Sequence, residues 1–368
     1  MKIDGLLQLL IDQKGSDLFL SVGIEPCLKV NGKMTPLGSV RLDAEMVTEF
    51  IREVMTPAAY ERYCQCHEAN FAIQRPELGR FRVSCFWQMG SPGMVMRRIV
   101  TEIPTIEDLL LPGVLREIGV AKRGLILFVG ATGAGKSTTQ AAMIGYRNRT
   151  TDGHILTIED PVEFVHHHDR SLITQREVGT DTESFDAALK SALRQAPDVI
   201  LLGEIRSQET MEFALSFAET GHLCMATLHA NNANQAIERI LHLVPIEKHR
   251  QLLYDLSFNL KAIVAQQLIP TRDGKGRRAA FELLISTPLV KDILLKGEMH
   301  RLKEVMSKSR EQGMMTFDQS LFDLYRQGVI GYNEALAYAD SPNEVRLMIK
   351  LDGGVSPDAG MLSNVTID

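Results

Sequence analysis

Gly130-Ala131-Thr132-Gly133-Ala134-Gly135-Lys136-Ser137-Thr138 is the stretch on which the reading of this chain turns. It has the form Gly-x4-Gly-Lys-Ser, follows the apolar run Leu125-Ile-Leu-Phe-Val129, and leads into residues that can open a helix. Glycines at 130, 133 and 135 let the backbone turn so that its N–H groups converge on phosphate oxygens. Lys136 neutralises the β- and γ-phosphates, and Ser137 offers a hydroxyl to Mg²⁺. The loop predicts a nucleoside-triphosphate site, with ATP and Mg²⁺ as its cofactors.

Working outward, four apolar runs read as buried strands: Leu125–Val129, His154–Ile158, Asp198–Leu202 and Leu223–Leu228. Helical stretches separate several of them, as in a parallel α/β sheet. One such helix, Ser184 to Gln195, puts Phe185, Ala188, Leu189, Ala192 and Leu193 on one stripe, and Pro197 stops it. Open parallel sheets bind ligands at the carboxyl ends of their strands. Two strands carry carboxylates there. Asp198-Val-Ile-Leu-Leu-Gly203-Glu204 has glycine where an aspartate is common, leaving Glu204 to act on Mg²⁺ directly or through its water. Glu159-Asp160-Pro161-Val162-Glu163 ends the other, and Glu163 is expected to polarise the attacking water.

Histidines bracket the last of these strands. Seven strand residues span about 23 Å, so His222 and His229 cannot both reach one γ-phosphate. His229, at the carboxyl end, is the expected phosphate sensor, and His222 is expected to order packing or a subunit contact. The tandem His166-His167-His168 reads as a solvated loop, because adjacent side chains diverge on any regular element.

The remaining sequence bounds the answer. The chain has 368 residues, 45% hydrophobic and 23% charged, with a formal net charge of -6, which argues against a nucleic-acid partner. No signal-peptide h-region and no run long enough to span a membrane is visible. The five cysteines are scattered and read as reduced thiols, and Cys64-Gln-Cys66-His67 lacks a second ligand pair. Residues 1–101 mix helical and strand signals: a leucine-rich first helix, an alternating run from Ser16 to Ser21, and an Asn31-Gly32 hairpin turn. A helix over roughly Asp43 to Met55 follows, and then strands at Gly79–Phe86 and Gly93–Val100. This is a small α+β domain. Residues 102–119 read as a linker, 120–270 as the nucleotide-binding core, 271–350 as a helical region, and 351–368 as a disordered tail.

Four ordered motifs carry a family resemblance. Gly130–Thr139, Thr157–Phe164, Leu193–Arg206 and Thr220–His229 resemble the Walker A, Asp box, Walker B and His box of secretion-type hexameric ATPases. Their order and spacing are similar to the type IV pilus retraction ATPases of the PilT/PilU type. Ser16-Asp-Leu-Phe-Leu and Gly79-Arg-Phe-Arg-Val extend the likeness over nearly the whole chain. The resemblance implies an N-terminal PAS-like domain, a RecA-like core, and a ring of six subunits at the cytoplasmic face of the bacterial inner membrane. It implies partners there too: a second retraction ATPase and the pilus platform protein. It also implies that Arg82, Arg97 and Arg123 help neutralise phosphate, with Arg80 and Arg98 as second choices. Phe19 stands where the family usually has histidine, and Thr287–Lys296 is only loosely like the segment associated with retraction in the PilT branch. With the longer tail after Pro342, these departures lean the reading toward the PilU-like branch, an accessory motor. Competing readings are an assembly or type II secretion ATPase, which usually carries a four-cysteine element not seen here, a P-loop kinase, and a non-hydrolytic nucleotide scaffold.

Overall fold

The computed structural model describes residues 2–30, 32–99 and 102–353. The chain divides into two compact units, residues 1–103 with 163–165, and residues 104–162 with 166–368.

In the first unit, α1 (Ile3–Asp12) buries Ile3, Leu6, Leu7 and Leu10, the i, i+3, i+4, i+7 stripe of an amphipathic helix. Strands β1 (Asp17–Ser21), β2 (Cys27–Val30) and β3 (Lys33–Pro36) follow. Helix α2 (Ala44–Val54) is capped by Asp43, whose carboxylate accepts from the Met46 N–H at 2.8 Å. It buries Val47, Phe50, Ile51 and Val54. Then come α3 (Pro57–Cys66), β4 (Glu68–Arg75), β5 (Gly79–Gln88) and β6 (Ser91–Ile99). The six strands form one antiparallel sheet in the order β3-β2-β1-β6-β5-β4. Leu18, Leu20, Phe81, Val83, Met94 and Met96 pack with α1 and α2 into its core. β2 and β3 form the expected hairpin; Asn31, at its turn, lies outside the described residues.

The second unit is built on a seven-stranded sheet in the order β13-β12-β7-β11-β10-β8-β9. Its strands are β7 (Gly124–Val129), β8 (Gly153–Glu159), β9 (Ser171–Glu177), β10 (Val199–Leu202), β11 (Leu223–Leu228), β12 (Leu260–Pro270) and β13 (Arg277–Ile285). All neighbours are parallel except β12 and β13. β7, β10 and β11 are buried at every residue, which is why their sequences do not alternate. Alternate residues of β7 serve opposite faces. Leu125, Leu127 and Val129 join one core, with α7 (Gln208–Glu219) and α8 (Ala233–Leu241). Ile126 and Phe128 join the other, with α4 (Val114–Gly119) and α5 (Lys136–Thr150).

Helices α6 (Phe185–Ala192) and α9 (His249–Asn259) complete the segment before β12. After β13 the chain forms α10 (Pro288–Lys296), α11 (Leu302–Lys308), α12 (Phe317–Arg326), α13 (Tyr332–Ala337) and α14 (Pro342–Leu351). α12 opens with a reciprocal capping box between Thr316 and Gln319.

Two of the expected boundaries differ from this arrangement. The segment read as a linker contributes to the core: Ile106, Leu111, Leu115 and Ile118 are buried beside Ile126 and Phe128. Its prolines gave it the look of a connector, although its apolar residues are spaced to reach one face. The region read as helical from residue 271 begins with β13, an edge strand of the main sheet. Arg-Arg-Ala-Ala-Phe-Glu-Leu-Leu-Ile has neither a helical stripe nor an alternating one, because its centre is covered on both faces. Most of the expected tail, residues 354–368, lies outside the described residues.

Candidate functional site: a phosphate loop at the carboxyl edge of the sheet

β7 ends at Val129, and the next residue shows why only glycine fits. Gly130 has φ +147°, and a Cβ there would lie 2.5 Å from the Gln266 carbonyl oxygen on β12. Gly133 and Gly135 also hold positive φ, +78° and +88°, turning the loop into the start of α5. Gly135 stands at the N-cap of α5, and no side chain caps that helix. Its first N–H groups and the positive end of its dipole are thus presented to an anion. Lys136 Nζ donates to the carbonyls of Gly130 at 2.7 Å and Ala131 at 2.9 Å, so its ammonium lies over the loop. Ala131, Thr132 and Gly133 are exposed and Ala134 is buried, while Ser137 and Thr138 are partly exposed in the first turn of α5.

The other elements arrive because neighbouring parallel strands end together. β11 lies beside β7, β10 beside β11, and β8 beside β10, at roughly 4.8 Å per step. Glu204, just past β10, is held from two sides. Arg206 Nε is 2.7 Å from one carboxylate oxygen, and His229 Nε2, just past β11, is 3.1 Å from the other. Gly203 suits the close approach of the neighbouring strand, since a Cβ would meet the Glu159 Cα at 3.2 Å and the Ile158 carbonyl at 3.3 Å. Glu159 ends β8 and accepts from the Thr157 hydroxyl at 2.7 Å, and Asp160 beyond it is exposed. Glu163 is exposed. The residue before it, Val162, donates its N–H to buried Glu177 at 3.1 Å.

His222 lies at the opposite, amino end of β11. Its Nδ1 is 3.0 Å from the Thr220 hydroxyl and 3.1 Å from the Phe217 carbonyl, and its own carbonyl accepts from the Gly124 N–H. Arg123 is exposed at that same edge, immediately before β7. A six-residue strand separates it from the loop, about 20 Å, so it cannot reach the phosphate loop of its own chain. In the first unit, Arg82 and Arg97 face each other across β5 and β6. Arg97 is paired at 2.7 Å with Asp17, which is buried and sits opposite it on β1. The acid offsets part of the repulsion between two adjacent guanidinium groups, and Arg82 is exposed. His166 is pushed down to about 4 by burial and by His167. His168 accepts from the Ile173 N–H, and His167 and His168 are both exposed.

Two cavities flank the loop. One, ≈ 420 Å³, is lined by Gly130 to Ala134 together with Asn231, Gln266, Arg277 and Tyr338. The other, also ≈ 420 Å³, has an apolar wall of Leu109, Leu111, Leu268 and Ala279 beside Gly135, Thr138 and Thr139. Asp108, Arg277 and Arg278 supply its charge. An apolar wall with a few polar groups next to a phosphate loop suits the flat base and sugar of a nucleotide. Sequence reading missed these residues and Gln266. Leu109 and Leu111 sat in the supposed linker, and Gln266 and Arg277 sit on β12 and β13, whose pairing with β7 and with each other no local pattern reveals.

A phosphate loop, its lysine, and a carboxylate–histidine pair on the adjoining strand ends define an ATPase of the P-loop class. The chain's similarity to known proteins agrees. The family model described as type II/IV secretion system protein matches residues 47–331. The type IV pilus ATPase PilU of Pseudomonas aeruginosa is 57% identical over 366 residues, covering 100% of this chain and 95% of that protein. The type IV pilus retraction ATPase PilT of the same organism is 38% identical over 342 residues, 93% of this chain and 99% of that one. A crystal structure of the pilus retraction motor PilT with bound ADP superposes with a TM-score of 0.89 at 38% identity, covering 94% of this chain and 99% of that one. The chain therefore belongs to the type II/IV secretion system ATPase family, among the pilus retraction ATPases of the PilT/PilU type, and its second unit is a RecA-like core.

Proposed function

We propose that this protein hydrolyses ATP to power retraction of a type IV pilus, as an accessory motor acting beside a main retraction ATPase. The observation that carries the reading is the phosphate loop with Glu204 and His229 joined at 3.1 Å on the neighbouring strand ends, in a chain 57% identical to a PilU.

ATP's triphosphate takes the place marked by the loop N–H groups, the α5 N-terminus and Lys136, which together stabilise the charge that develops on the γ-phosphate. Glu163 is the residue proposed to orient and polarise the attacking water. His229 is placed to report the γ-phosphate to Glu204 through their contact, and Arg206 holds the Glu204 carboxylate from the other side. The donor set fits Mg²⁺: the Ser137 hydroxyl is free of a cap role, Glu204 lies across the strand ends, and no cage of three ligating side chains gathers among the described residues. Ser137 would hold the ion, and Glu204, with both oxygens already engaged, would act on its water. When bound, the ion would supply neutralisation of phosphate charge.

Arg123 and His222 lie at the amino edge of the sheet, so any nucleotide they contact belongs to another subunit. That placement supports the family's hexameric ring. Among the described residues no helix is long and apolar enough to cross a membrane, which suits a ring attached peripherally at the inner face of the cell membrane through the pilus platform protein. The test is a deletion strain scored for pilus retraction, alone and combined with a hydrolysis-dead companion motor. An accessory motor gives a partial loss that the second lesion deepens. Loss of pilus assembly instead would assign the chain to the assembly ATPases.

A further inference from the structure

Strand β12 pairs in parallel with β7 up to Ala265, which is in register with Val129, the last residue before the loop. Gln266 is the next residue, and it runs alongside the loop where β7 no longer exists. It is 3% exposed and meets the loop at three places. Its carbonyl oxygen is the atom a Cβ at Gly130 would strike, at 2.5 Å. Its side-chain Oε1 accepts from the Thr139 hydroxyl at 2.7 Å, a buried hydrogen bond across 127 residues of chain. Its Nε2 would lie 2.8 Å from a Cβ at Gly135.

These contacts pin the entry of the loop, its exit and the first turn of the helix behind it. Helical threonines often bond back to the carbonyl four residues earlier. Here the Thr139 hydroxyl turns to Gln266, and the Gly135 carbonyl keeps its bond to the Thr139 N–H at 3.0 Å. With Oε1 occupied by the hydroxyl, the amide N–H₂ lies against Gly135 at the exit of the loop, a neutral donor in a place where a carboxylate would repel an anionic ligand.

We infer that Gln266 is a positioning residue for nucleotide binding: it holds the phosphate loop open through Thr139 and presents its amide along Gly135. The inference rests on the nucleotide reading of the loop. The test uses the full-length protein and ADP as the probe, with calorimetric affinity, KM and kcat for ATP, and melting temperature measured for each variant. Wild type binds ADP and Lys136→Ala does not; a wild type that fails to bind overturns the nucleotide reading and this inference with it. Given a binding wild type, Gln266→Leu and Thr139→Val each weaken ADP about tenfold and raise KM more than they lower kcat. The double variant is no worse than the poorer single one, and Thr139→Ser restores binding. Gln266→Glu, which keeps an acceptor for Thr139 and puts a carboxylate in place of the donor, folds yet loses ADP affinity. Additive losses overturn the coupling. Gln266→Leu binding ADP as wild type does overturns the proposal. If Gln266→Leu does not fold, wild-type affinity in Gln266→Glu overturns it instead.

Discussion

Replacing Glu282 by glutamine should flatten the pH dependence of stability in the second unit. Glu282 lies on β13, is 2% exposed, and accepts from the Ala233 N–H at the start of α8 at 2.8 Å. Burial raises its carboxyl from 4.5 to about 7. The Ala233 N–H and Lys303 work against that rise, while Asp340 and Asp318 add to it. Lys303 is itself engaged by both acids, at 3.2 Å each. Between those two pH values the native chain keeps a proton that the unfolded chain has released. Native binding of the extra proton means that stability falls as pH rises through this window, and levels off above about 7. Each pH unit of the window is worth about 1.4 kcal/mol, so the full change is about 3 kcal/mol. Glutamine does not titrate, and its carbonyl can still accept from Ala233, while its amide N–H₂ brings a fixed cost of about 1 kcal/mol if it finds no partner. That cost is the same at every pH, so the informative quantity is the difference between variant and wild type. Denaturant unfolding at pH 5, 6, 7 and 8, at one protein concentration, should show the variant gaining on wild type by about 2–3 kcal/mol from the lowest to the highest pH, most of the full change. Parallel curves would mean that Glu282 is ionised throughout, and the burial argument would be refuted.

Lys136→Ala should abolish ATP turnover while leaving the melting temperature nearly unchanged. The hydrogen bonds it removes include those to two loop carbonyls, made by a partly exposed ammonium and contributing on the order of 1–2 kcal/mol each; retained turnover would sink the assignment of the loop. Glu163→Gln should still bind Mg-ATP but hydrolyse it at least a hundredfold more slowly, as for loss of a general base, and a variant unable to bind would move Glu163 from water to metal. Gly203→Ala should destabilise the second unit by about 1–3 kcal/mol, the range for overpacking, because its Cβ faces the backbone of β8; calorimetric melting equal to wild type would show that β8 yields.

Much of the site was legible because its chemistry is local. The phosphate loop needs glycines, a lysine and a hydroxyl in one short run, and Glu204 and His229 could be placed by counting to the ends of apolar strands. Gly203 was read only as a gap in a motif, and its cause is the Glu159 backbone on the adjoining strand. Arg123 matched a family position, yet its place before β7 puts it at the far edge of the sheet, and strand direction alone accounts for that. Gln266 and Glu282 gave no signal, since each matters through a partner far away in the chain: Thr139 for one, Ala233 and Lys303 for the other.

The sequence by itself determined which run turns as a phosphate-type loop, and at the ends of which strands the carboxylates and histidine stand, because backbone turning and strand periodicity are properties of neighbouring residues. Only the tertiary structure decided strand order, and with it that β10 and β11 bring Glu204 to His229, that β12 braces the loop, and that the supposed linker walls a nucleotide-sized cavity. Strand order depends on which apolar faces bury one another across the whole chain, and similar apolar runs leave that choice open until the core is packed.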